Sequence, residues 1–417
     1  MPGSAADEER RVRWRALRIC VCLGLLFGMV LSWPLWLSGG RKFPVLPCFG
    51  LGELPAPFDW CLFAAALCLC GAAMLRVWDR WVIVALVAVL LLLGALDQMR
   101  WQPWAYQYLL CLAPMALVAG RDDRDGLRAS LDIVRLIVIA IYTWGGVHKF
   151  GVQFQRTYES DVVVGLLGAT RGWLHDLILW SGHLVPWTEI LIGILLLLPR
   201  VRIAGVLIAL AMHAFILLTL GPFGLGNNSV VWPWNLAMAG MVVSLFYRFD
   251  GLALTEIFAA KRLRPVAIAI GVLVILMPAR SYSKRWDQYL SFHLYSGHHQ
   301  RMALMVSGAT AAKMEPYYTR MMKPAQTAPG AEPTHQELPI AGWAMYDLNV
   351  PMPSEDRMLL RVAKILVDRF ELSVADYFYR DYPELLEERG FDVYPPAQIR
   401  RMSGFPPFRQ GGQKVSR

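Results

Sequence analysis

Four ionisable residues of this chain lie where apolar sequence makes charge costly. Lys149, preceded by His148, closes the run "IYTWGGVHKFG" from Ile141 to Gly151; Glu189 follows "PWT" inside a second apolar run; and His213 sits within "ALAMHAFILL". Ionisable groups at membrane depth face a bundle interior or a cavity and mark functional sites by default. The chemistry these types support is proton transfer, with lysine as a base and histidine or a carboxylate positioning it. An unpaired carboxylate in such surroundings is expensive, and pairing Glu189 with Lys149 or His148 resolves that cost. Asp97 and Arg100 in "LGALDQMRW", and Asn228, Trp232 and Asn235 in "GPFGLGNNSVVWPWN", fall at the same ends of their runs. Together they suggest one outward-facing pocket of polar groups. Each residue also has a plainer role: Lys149 as a snorkelling anchor, His213 as a helix-to-helix hydrogen bond, Trp232 and Trp234 as an aromatic belt, and Asp132 with Arg135 as an i,i+3 pair.

The elements that position these residues are membrane spans. Of 417 residues, 56% are hydrophobic and 16 are Trp, and the mean hydropathy is +0.40, which indicates a polytopic membrane protein rather than a string of soluble domains. The formal charge of +9 does not imply nucleic acid, because the basic residues cluster between apolar runs instead of forming a stripe with interleaved aromatics. The seven cysteines include no CxxC pair, so neither a redox motif nor a zinc site is expected. Cys48 is the only one expected outside a span. The basic N-terminus precedes an apolar stretch too long for a signal peptide and without a cleavage site, which makes it a retained first span.

Nine stretches have the length and composition of spans: Ala16–Leu37, Phe58–Met74, Trp81–Leu96, Trp104–Val118, Leu131–Val147, Leu184–Leu198, Ile203–Leu220, Val230–Phe246 and Pro265–Met277. Sixteen Lys and Arg flank one side of this arrangement, including Arg10 to Arg18, Arg76, Arg121 and Arg200, against six on the other, which include Arg41, Lys149 and Arg171. The positive-inside bias then places the N-terminus in the cytoplasm and, with nine spans, the C-terminus outside a bacterial inner membrane. The connection from Phe150 to Gly182 is too broken by Gly and charge to span, and reads as interfacial or re-entrant. Beyond residue 279 the chain turns polar. Residues 1–279 are expected to form an all-α bundle and 280–417 an extracytoplasmic α+β region. That region contains an exposed linker at "MMKPAQTAPGAEPTHQELP", a helix in "PSEDRMLLRVAKILVDRF" capped by Ser354, and a disordered tail "RQGGQKVSR". The sequon in "GNNS" reads as a turn.

The stretches "LDQMRWQPWAYQYLL", "RASLDIVRLIVIAIYTWGGVHKF" and "AMHAFILLTLGPFGLGNNSVVWPWNLAM" resemble the HTTM domain of vitamin K-dependent gamma-glutamyl carboxylases and the related DoxX-type membrane proteins of bacteria, over roughly Leu96 to Phe246. In the carboxylases a Tyr-x-x-x-Gly-x-x-Lys motif carries the lysine that deprotonates a reduced quinone so that oxygen can add. Tyr142, Gly146 and Lys149 match it, so the resemblance implies that Lys149 is a base, that Tyr142 lines the pocket and that a quinol is the cofactor or substrate. Where the carboxylases have an Asn-His pair followed by Ser-Tyr, this chain has Trp101, Gln102, Pro103, Trp104, Ala105 and Tyr106. Trp104 replaces the family histidine, which speaks against glutamate carboxylation. The tail resembles the C-terminal region of bacterial HTTM/DoxX-like proteins. His293, His298 and His299 lack a fourth ligand at suggestive spacing, so no metal is expected.

Two functions follow. One is an enzyme that acts on a quinol or similar apolar substrate with Lys149 as general base. The other is a non-catalytic, DoxX-like membrane subunit that assembles with a redox or export partner, in which Lys149 belongs to a structural ion pair.

Overall fold

A computed structural model describes residues 5–48, 55–75, 79–120, 124–168, 172–226, 228–248, 257–258, 260–283, 286–293, 295–297, 299–325, 334–382, 390–402 and 413–414. Arg76, Arg121 and Arg171, Asn227 of the sequon, His298, the middle of the linker (326–333) and most of the C-terminal tail lie outside these residues.

Helix α1 (Ala5–Leu31) buries Trp14, Leu17, Val21, Leu25 and Met29, three or four residues apart, which is the stripe of a helix packed along its whole length. After a one-turn helix α2 (Trp33–Trp36), the bundle continues with α3 (Ala56–Leu75), α4 (Arg80–Leu96), α5 (Pro103–Val118) and α6 (Arg124–Val147). The connection that follows is helical: α7 (Val152–Tyr158), a π-turn (Glu159–Val163) and α8 (Val164–Leu167). Its Phe154, Tyr158 and Val163 form a small separate core with Ile178, Leu179 and Val185 of the next helix. Then come α9 (Trp173–Leu197), α10 (Arg202–Leu220) and α11 (Val231–Phe246), and a last apolar helix (Arg264–Gly271) that runs on through a π-turn and a 3₁₀ segment to Ser283.

All nine apolar stretches fold as helix, but the count of nine spans does not follow from them. Among the described residues six helical segments are long and apolar enough to cross a membrane: α1, α3, α6, α9, α10 and Arg264–Ser283; α4 and α11 are shorter apolar helices. At helical rise the 16 residues of α5 reach only about 24 Å, short of the roughly 30 Å of a hydrocarbon core. Helix α9 also begins eleven residues before the expected span, because the first half of the helix packs against α7 and the π-turn.

Helix α6 is central: 83% of its apolar window is buried, against 22% for α10. Outward-facing Trp173, Trp180, Trp187, Leu207 and Leu218 of α9 and α10 are exposed, a belt suited to lipid contact. Antiparallel α1 and α11 approach closely through small residues. A Cβ added at Gly24 would lie 2.8 Å from that of Ala237 and 2.1 Å from Tyr108 Oη.

The C-terminal region carries a six-stranded antiparallel sheet of order β2-β3-β1-β4-β5-β6, with β1 (Arg301–Ser307) between β3 (His335–Pro339) and β4 (Tyr377–Tyr382). The outer strands are β2 (Lys323–Pro324), β5 (Gly390–Tyr394) and β6 (Gln413–Lys414). Strands β2 and β3 thus occupy both ends of the expected linker, and the two described residues of the expected disordered tail pair with β5. The helix Asp356–Arg369 forms as read, with Glu355 rather than Ser354 at its N-cap, since the Ser354 hydroxyl is bonded to the Gln288 side chain.

This region is seated on the end of the bundle opposite the arginine-rich loops, and one apolar core runs through both. Phe43 packs on Trp343 with ring centroids 4.7 Å apart. Asp347 accepts from the backbone N–H of Lys42 and Phe43. Asn349 donates to Leu31 O and Ser229 Oγ, and Arg361 to Pro47 O.

Candidate functional site

The polar residues of the bundle form separate clusters rather than one pocket. The first is an ion pair at the end of α6. Lys149 Nζ lies 2.9 and 2.7 Å from the two carboxylate oxygens of Glu189 on α9, and 3.3 Å from Gly145 O. Both side chains are buried. Three donor contacts match the three protons of an ammonium group. Glycines make the contact possible: a Cβ at Gly146 would stand 2.6 Å from Pro186 O and 2.8 Å from Ile190 Cγ1, and one at Gly145 3.1 Å from Glu189 Oε2. The "GG" of the opening motif therefore lets α6 lie against α9 closely enough for Lys149 to meet Glu189.

Two turns earlier on α6, Tyr142 Oη is 2.7 Å from His213 Nε2 on α10. His213 Nδ1 is 2.8 Å from Asn235 Oδ1 on α11, and the Asn235 amide donates to Val231 O. With Nδ1–H donating to the amide oxygen and Nε2 accepting from the phenol, a neutral imidazole satisfies both ring nitrogens. This relay ties three helices together.

His148 is turned away from Glu189 and stacks on His293, with centroids 3.5 Å apart. His293 is bonded to Ser281 Oγ and Ser296 Oγ. Asp97 and Arg100 belong to a knot on the other side of the bundle. Asp97 pairs with Arg41 at 2.5 Å and accepts from the Leu46 and Met99 N–H groups, while Arg100 donates to the carbonyls of Leu35, Leu93 and Trp36. Trp232 caps α10 through its indole N–H to Leu220 O. Asp132 and Arg135 form their i,i+3 pair at 2.5 Å. Among the described residues no group of three or more His, Cys, Asp or Glu is placed to hold a metal, and the seven cysteines are unbridged.

A cavity lies elsewhere, at the junction of bundle and sheet region. It measures about 670 Å³, with walls from Gln102 just before α5 and Trp104 in its first turn, Asn228 ahead of α11 and Trp234 in its first turn, and Tyr289, His299 and Gln300 of the segment before β1. Of the residues singled out for the pocket, Asn228 lines it and Lys149 does not. Trp104, read only as a substitution for a family histidine, is part of its wall. The segment "SFHLYSGHHQRM", noted for its histidines, contributes more of the lining than any span, a role its composition carries no sign of. Beside the cavity, Arg357 bridges Asp287 at 3.1 Å and Gln98 at 2.7 Å and is bonded to Glu355. Burial and the Asp287 carboxylate push the Glu355 carboxyl up to about 7, against the pull of Arg357.

Fold and clusters together define a multi-pass helical membrane protein with a sheet region docked on one end of its bundle. Residues 127–228, from α6 to the loop before α11, match the family described as methylamine utilisation protein MauE. No curated protein and no solved structure matches the chain. The resemblance to HTTM and DoxX-type proteins is thereby corrected, since the segment that suggested it matches MauE and neither of those families matches. The misreading has a physical origin. Tyr, Gly and Lys four and three residues apart share one helix face, and here each serves helix packing: Tyr142 on His213, Gly146 on Pro186, Lys149 on Glu189.

Proposed function

We propose that this chain is a non-catalytic, multi-pass component of a bacterial inner membrane, accessory to a redox system of the kind that the matched family's name, methylamine utilisation, suggests. The observation that carries this reading is the closure of Lys149. A general base needs a lone pair facing its substrate, whereas the Lys149 amine is engaged by Glu189 and Gly145 O and lies apart from the junction cavity. The bundle thus acts as a scaffold that carries the sheet region. The arginine-rich ends of α1, α6 and α10 support a cytoplasmic N-terminus, which puts the sheet region and its partner on the outer side.

Gene deletion in the host, followed by complementation, tests this. Growth on methylamine and amine-dependent electron transfer in membranes should be lost on deletion and restored by the wild type and by Lys149→Arg, because Arg keeps a fixed charge and cannot act as a base. Lys149-dependent oxidation of a reduced menaquinone-like quinol by the purified protein, seen as a quinone product by mass spectrometry, would overturn the reading in favour of an enzyme.

A further inference from the structure

The junction cavity has the size and mixed polarity of a small-molecule site, and the chemistry of its wall selects a ligand class. Three side-chain amides line it: Gln102, Asn228 and Gln300. The carbonyl oxygen of each is buried without a hydrogen-bond partner among the described residues. For Gln102 the orientation is set, since its amide nitrogen donates to Met99 O and Pro351 O; a flipped amide would set oxygen against two carbonyls. Buried polar groups of this kind are ordinarily satisfied, so three amide oxygens on one cavity wall call for donors from water or from a ligand.

The same wall carries two carboxylates from the sheet, Glu337 of β3 and Asp381 of β4, the latter accepting from the Arg301 N–H, together with Arg301, His293 and His299. Pro103, Pro339 and Pro351 also line the cavity and supply no N–H. The carboxylates thus add acceptors to those of the amide oxygens. On the bundle side the wall is aromatic and soft: Trp104 and Trp234, with Met302, Met345 and Met352. Indole faces attract cations, and methionines adapt to varied apolar shapes.

We propose that the junction cavity binds an amphipathic organic cation with N–H donors, a primary or secondary ammonium on an apolar or aromatic body. The ammonium hydrogens bond to the amide oxygens and are neutralised by Glu337 and Asp381, while the body lies against Trp104, Trp234 and the methionines. A neutral or anionic ligand of the same shape would leave the amide oxygens unmet or face two carboxylates, and is rejected.

The test uses the full chain in lipid nanodiscs and three probes that share an indole body: tryptamine as the cation, tryptophol as the neutral alcohol and indole-3-propionate as the anion. Equilibrium binding should favour tryptamine at least tenfold over tryptophol, with the propionate weakest. Glu337→Gln and Asp381→Asn should each weaken tryptamine at least fivefold and leave tryptophol unchanged, which also reports that the cavity is intact. Equal binding of the three probes, binding of none, or unchanged tryptamine affinity in both variants would overturn the assignment. None of these outcomes depends on the accessory role proposed above, because no partner enters the measurement.

Discussion

At the scale of single residues, the Lys149–Glu189 pair governs how the bundle should respond to mutation. Removing one partner of a buried ion pair strands the other charge and costs about 3–5 kcal/mol, whereas replacing both by apolar residues is often neutral. Lys149→Met and Glu189→Gln are therefore each expected to lower the thermal midpoint of the detergent-solubilised protein, read as surviving monomer on size exclusion after heating. The double change Lys149→Met, Glu189→Gln should recover most of the loss; strictly additive losses would show that the two side chains do not act as a unit. The pair was legible as a possibility, because one carboxylate and one lysine flank neighbouring apolar runs. The Tyr142–His213–Asn235 relay was not, since three residues on three helices, 71 and 22 positions apart, share no local pattern.

Among the elements, the contact of α6 with α9 depends on a glycine. Gly146→Val would drive side-chain atoms into Pro186 O and Ile190, and backbone cannot withdraw as a flexible side chain can. A loss of about 1–3 kcal/mol follows from such overpacking. Gly71→Ala on α3, where an added Cβ meets nothing within 4 Å, is the matched control and should be neutral or slightly stabilising. The same heating assay separates the two, and equal behaviour would remove the case for close α6–α9 packing. Helix positions were readable because apolar runs mark them. The helical character of the Phe150–Gly182 connection was hidden by its Gly and charged residues, and rests on Phe154, Tyr158 and Val163 finding a core against α9.

For the whole molecule, the seating of the sheet region on the bundle should vary with pH. Glu355 faces Asp287 and Arg357, with Tyr106 and Tyr289 close by. Its carboxyl is raised from 4.5 to about 7 by burial and by Asp287, so the folded state holds that proton more tightly than the unfolded one. The resulting stability is complete below about pH 4.5 and is lost as pH rises towards 7. Wild type should thus lose thermal stability between pH 5 and 7.5 relative to Glu355→Gln, which keeps the uncharged form throughout; parallel pH profiles would refute this. Orientation is testable on the same scale. A periplasm-active reporter fused after the sheet region should be active, and one fused ahead of α1 inactive, if the arginine-rich end is cytoplasmic.

What the sequence determined by itself was set by local composition: apolar runs long enough to need lipid, arginine clusters at one end of them, and a polar region after residue 279 able to form a sheet. These properties depend on neighbours along the chain, and they survive without knowledge of the fold. Which side chains meet was decided only by tertiary structure. Gly146 brings Lys149 to Glu189, Arg41 takes Asp97, and His148 turns to His293, so residues at one expected depth are parted into clusters around the bundle. The junction cavity arises in the same way. Its walls come from the start of α5, the start of α11 and the sheet region, segments far apart along the chain whose contact depends on packing that no local pattern encodes.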